Sequence, residues 1–134
     1  MNLYQHEVQS FQMQAMVDIG DLIQQDIDSS KIMECICIVQ SLKNGSGITV
    51  SDSLHYEVCT DMIYGYAKAF PIIDVFYRHI KGNSHAYMKS SSVGISQTYI
   101  IHEGKLMLGD NQSVFYCDFD GPGKGQVIVK LVED

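Results

Sequence analysis

ISQTYIIHEGKLMLGDNQSVFYCDFDGPGKGQVIVKLV, residues 95–132, reads as strand after strand joined by tight turns. Ile95–Ile101 and Lys105–Leu108 flank His102-Glu103-Gly104, a short glycine-ended connection, and predict a hairpin. Gln112–Phe119 alternates, with Val114 and Tyr116 on one side and Phe115, Cys117 and Phe119 on the other. Asp120-Gly121-Pro122-Gly123 reads as a turn and Gln126–Val132 as the last strand. Short connections of this kind join antiparallel neighbours, because parallel ones need a long crossover.

Working outward, the period changes. Met16, Ile19, Ile23 and Ile27 fall at helical spacing, with Asp18, Gln24, Gln25 and Asp28 on other faces, and Ser29-Ser30 suits the end of that helix. ECICIVQSL (34–42) is an apolar run of strand length, rich in Ile and Val, and predicts a buried strand. KNGSG (43–47) reads as a turn or an irregular strand edge, after which Ile48-Thr49-Val50 resumes β character. Asp52 or Ser53 is placed to cap a second helix through Leu54, Val58, Met62 and Tyr66, with Pro71 marking its limit. NLYQHEVQ (2–9) alternates weakly and predicts a first strand. Ile72–Tyr77 fits strand or loop, Gly82-Asn83 a turn, and 84–91 a short helix. Together these segments predict an α+β chain, mostly antiparallel with two main helices, and residues 1–134 are read as a single domain.

Composition limits the partners. With 46% hydrophobic and 19% charged residues in 134, the chain can bury a self-supporting core and does not resemble a disordered one. The net charge is −7 and the nine basic residues are scattered, so no cluster exists to neutralise neighbouring phosphates. Nucleic acid and anionic membrane surfaces are therefore disfavoured as partners. No run approaches the roughly 20 apolar residues of a membrane span, and MNLYQHEVQSFQMQ lacks the marks of an export signal. A cytoplasmic location is expected, with Cys35, Cys37, Cys59 and Cys117 as reduced thiols. Cys35 and Cys37 are expected on opposite faces of their strand, a poor arrangement for a joint metal site and unlike C-x-x-C.

Two polar stretches could carry chemistry: Lys43–Asp52, and HIKGNSHAYMK at His79–Lys89. His79 and His85 are six residues apart with Asn83 between them. Imidazoles bind metals and move protons near neutral pH, and an acidic residue such as Asp52 would complete such a site. Paired histidines are also common as surface or structural groups. There is no GxSxG, HExxH or Walker loop. Gly121–Gly125 is glycine-rich, but a strand follows it, so it lacks the helix N-terminus of a phosphate cradle.

FYRHIKGNSHAYMKSSSVG (76–94) and GKLMLGDNQSVFYCDFDGP (104–122) are similar to signatures of the YjbQ family. The likeness runs upstream through the first helix, the Cys35–Val39 strand and GITVSD (47–52), so it covers nearly the whole chain, and the F-D-G-P turn is its most specific piece. The resemblance implies a curved, half-barrel-like α+β fold and a homotrimer with sites near subunit boundaries. A low charge fraction agrees, since it leaves apolar surface to be covered. The resemblance also implies a secondary thiamine-phosphate synthase activity, which joins a pyrimidine diphosphate to a thiazole phosphate. That reaction needs positive charge or a metal at the departing diphosphate.

The sequence departs from the family pattern at the residues that would do this work. Lys43, Asn44 and Gly45 stand where the pattern has a histidine followed by threonines, and Asp52 stands for a glutamate. His79 and Asn83 are retained. His85 replaces an acidic residue, Tyr87 a histidine, Asn111 a tryptophan, and Gly123 and Gly125 two arginines. Lysine is no neutral imidazole ligand, tyrosine is a poor base near neutral pH, and losing two guanidinium groups removes bidentate oxyanion recognition. The resemblance therefore implies a divergent member whose associated reaction is weakened or lost, kept for binding or assembly. The alternative is an enzyme with a rearranged site acting on a phosphorylated small molecule. In that reading His79, Asn83 and Asp52 are catalytic, Lys43, His85 and Tyr87 bind substrate, and His79 with His85 would hold a divalent metal as the candidate cofactor.

Overall fold

The computed structural model describes residues 2–134. Along the chain come β1 (Leu3–Ser10), β2 (Ala15–Asp18), α1 (Gly20–Ser30), β3 (Cys35–Ser41) and β4 (Ser46–Asp52). Then follow α2 (Tyr56–Ala69), α3 (Ser84–Val93), β5 (Ser96–His102), β6 (Lys105–Leu106), β7 (Gln112–Asp118) and β8 (Gly123–Glu133). Two antiparallel sheets result, one in the order β1-β8-β3-β5-β6 and one in the order β2-β7-β4. They curve as a half-barrel around a shared core of alternate strand residues, among them Val39, Ile48, Val114, Val127 and Val129, with Ile23 and Ile27 of α1 buried between. This is the expected α+β, mostly antiparallel architecture, with its two main helices and, as α3, the short helix expected at 84–91.

The first helix begins later than the apolar spacing suggested. Met16 and Val17 belong to β2, paired with Cys117 and Tyr116 of β7. The amide of Ile19 still donates to the Val114 carbonyl, 2.9 Å, and the amide of Gly20 donates to Asp18 Oδ1, 2.9 Å, where strand gives way to helix. Ladder bonds thus override a helical spacing that one strand residue happened to extend. Likewise Leu54 precedes α2. Asp52 Oδ1 accepts the amides of Leu54 (2.8 Å) and His55 (2.7 Å), closing a turn ahead of the helix. Phe70 ends α2, one residue before Pro71.

Cys35 and Cys37 lie on one face, contrary to expectation, because residues two apart on a strand point the same way. Both are buried and face the core. All four cysteines are free thiols; burial pushes Cys37 and Cys117 up to about 12 and also raises Cys35 and Cys59.

Helix α3 lies close on β4. Ser90 Oγ donates to the Ser46 carbonyl, and the Ile48 amide to the Gly94 carbonyl at 2.9 Å. A Cβ on Gly47 would collide with Val93 and the Gly94 carbonyl, so only glycine permits this approach. Ile72–Tyr77 proves to be loop, in a connection whose Ile73, Val75, Phe76 and Ile80 are strongly exposed. Among the described residues no helix is long and apolar enough to cross a membrane.

Candidate functional site

Three segments meet at one corner: the Lys43–Gly45 loop, the start of α3, and Asp118–Gly121 at the end of β7. The backbone at Gly45 abuts Ala86 of α3 and Asp120, and its carbonyl accepts the Phe119 amide at 2.9 Å. Strand β7 is buried on both faces from Ser113 to Asp118, and the Asp118 side chain is fully so. Its carboxylate accepts from Ser10 Oγ (2.6 Å), Lys43 Nζ (2.8 Å) and the Asp120 amide (3.0 Å). Three donors offset much of the cost of burying this charge. Beside it, Asn83 Nδ2 donates to Asp120 Oδ2 at 2.8 Å, while Asn83 Oδ1 is buried without a partner among the described residues.

Within α3, His85 and Lys89 stack one turn apart and both are buried. Lys89 Nζ lies 2.9 Å from His85 Nδ1 and 3.1 Å from Gln14 Oε1. Burial lowers the proton affinity of both; the Lys89 charge lowers His85 further, and the Asp120 charge partly opposes this. A cleft of about 380 Å³ opens between the Gln40–Gly45 segment and α3, with Tyr87, Ser90 and Ser91 on its helix side.

The residues singled out in the sequence divide into two groups. Lys43, Asn83, His85 and Tyr87 all belong to this corner. His79 is an exposed loop residue whose ring meets Tyr87 edge-on, with centroids 6.2 Å apart. Asp52 is elsewhere. In the β4–β7 register Ser46 pairs with Asp118, and Asp52 with Gln112 at the far end. Six strand steps separate the two ends, about 20 Å, so Asp52 does not join the histidines. It instead binds His55 Nδ1 at 2.8 Å on the surface.

A divalent metal does not fit the donors present. Among the described residues no group of three or more His, Cys, Asp or Glu is arranged to hold one. His85 Nδ1 is already taken by Lys89, whose ammonium would repel a cation.

Sequence reading missed Asp118, Asp120, Lys89, Ser10 and Gln14. Lys89 carried a usable signal, since i and i+4 share a helix face. Asp118 and Asp120 alternate into the F-D-G-P turn. Nothing local marks Ser10 or Gln14, whose partners lie 108 and 75 residues away.

The family model described as UPF0047 protein YjbQ-like matches residues 4–134. UPF0047 protein MJ1081 of Methanocaldococcus jannaschii is 33% identical over 132 residues, covering 98% of this chain and 95% of that protein. UPF0047 protein YugU of Bacillus subtilis is 31% identical over 117 residues, covering 87% and 89%. A crystal structure of an uncharacterized YjbQ/UPF0047 family protein from Clostridium acetobutylicum superposes with a TM-score of 0.93 at 32% identity, over 96% of this chain and 99% of that one. A YbjQ-like protein of unknown function from Sulfolobus solfataricus gives 0.93 at 21% identity, over 98% and 96%, which is a likeness of fold alone.

Proposed function

The chain belongs to the YjbQ-like UPF0047 family, and from that premise we propose that it keeps the family scaffold as a binding module while the thiamine-phosphate synthase reaction is weakened or lost. The observation that carries this reading is the state of Lys43. Among the described residues, Lys43 is the one cation in the cleft lining, and its Nζ is spent on buried Asp118. A departing diphosphate needs uncommitted positive charge, and neither this lysine nor fully buried Lys89 offers it. The polar wall at Ser90, Ser91 and Asn44, with the Tyr87 ring, suits a small neutral or weakly polar ligand better than a diphosphate.

The test is a synthase assay with the pyrimidine diphosphate and thiazole phosphate, with and without a divalent metal. The expected result is no product above a His79→Ala control. Robust turnover that this substitution abolishes would overturn the reading and favour a site built on His79 and His85.

Assembly belongs to the same proposal. Ile73, Val75, Phe76 and Ile80 crowd one exposed loop, and Ile36, Ile100 and Val132 lie on the outward face of the larger sheet. Apolar surface of this extent fits a homo-oligomer, which the family resemblance makes a trimer. Light scattering at micromolar concentration should give a multiple of the chain mass, and a monomer would reject it.

A further inference from the structure

Lys89 is 0% exposed and His85 3%. The bonds of Lys89 go to an imidazole nitrogen and a side-chain amide oxygen, with no carboxylate in direct contact. An ammonium offers three N–H donors and no acceptor, so its bond to His85 requires a bare lone pair on Nδ1. An imidazole with Nδ1 bare carries its proton on Nε2. The facing groups agree. Gln14, from the β1–β2 connection, turns its oxygen to the ammonium. Asp120, from the turn after β7, brings a negative charge to bear on the imidazole. His85 Nε2 makes no hydrogen bond among the described residues.

We propose that Lys89 is the positioning residue that holds His85 as a neutral imidazole protonated on Nε2, so that His85 keeps an uncommitted N–H donor at the start of α3. In this state His85 serves neither as a base through Nε2 nor as a metal ligand through Nδ1. The assignment is independent of whether the transfer reaction survives, because it concerns the resting protein.

The tautomer is read directly by ¹⁵N NMR of the histidine rings in the full-length protein near neutral pH. The expected spectrum shows His85 with a protonated Nε2 and a bare Nδ1. A protonated Nδ1, or an imidazolium, would overturn the proposal. In Lys89→Met the single tautomer should give way to a mixture, whereas an unchanged spectrum would remove Lys89 from the role. Zinc ions added to the wild-type protein should leave the His85 signals in place, and loss of the Nε2 proton on zinc addition would show a metal ligand instead.

Discussion

The two ends of the β4–β7 pair hold the same chemistry in opposite settings. At one end Asp118 meets Lys43, and at the other Asp52 meets His55. Each carboxylate also accepts backbone amides, Asp120 in the first case, Leu54 and His55 in the second. The difference is water. The Asp118 side chain is fully buried, so removing any donor strands a charge, whereas around Asp52 and His55 solvent replaces whatever is lost. A carboxylate–cation pair thus organises a site only where burial makes each partner indispensable.

The sharpest way to break this contrast is Lys43→Ala. It leaves the fully buried Asp118 carboxylate without a cation and should cost about 3–5 kcal/mol, read as a lower denaturant midpoint. Asp118→Ala should cost less, because it removes the buried charge itself, while Lys43 keeps the Asp120 carbonyl and Ser10 the Gly123 carbonyl. A loss with Lys43→Ala no greater than with Asp52→Asn would end the distinction between the two ends.

A second experiment sharpens the buried end. A Cβ at residue 125 would run into the hydroxyl of Tyr116, whose ring is fully buried and cannot swing away. Gly125→Ala should cost about 1–3 kcal/mol through overpacking. Adding Tyr116→Phe should recover much of it, and a strictly additive double mutant would refute the contact. The same collision explains why a longer side chain at 125, such as the arginine of the family pattern, is incompatible with Tyr116.

The smallest effect belongs to the exposed end and shows only as pH dependence. Hydrogen bonds from the His55 amide and ring, and then the Leu54 amide, hold Asp52 below its ordinary 3.8, while the bond to Asp52 raises His55 above its ordinary 6.5. A lowered carboxylate contributes stability above its unfolded value and loses it as pH falls through the folded one. A raised histidine contributes below its unfolded value and loses it as pH rises through the folded one. The pair therefore acts mainly between the two ordinary values. Thermal melts of Asp52→Asn should lose a shallow advantage in that window alone, and an equal change at every pH would deny the coupling.

Most of the architecture was legible because it is written in local patterns. Turn residues and two-residue alternation after Ile95 determined the antiparallel strands, and the spacing of Ile19, Ile23 and Ile27 determined a helix. Met16 and Leu54 were misplaced because a periodic pattern does not state where a ladder or a turn takes over. The site was legible in part: Lys43, Asn83, His85 and Tyr87 share a corner, while Asp52, near Lys43 in sequence, is carried to the far end by an extended strand. Only the tertiary structure decided that Lys43 answers to Asp118, Lys89 to Gln14, and Asp118 to Ser10. Side-chain type is a property of the chain, but which charge is buried beside which donor depends on contacts between distant segments, and no local spacing encodes that.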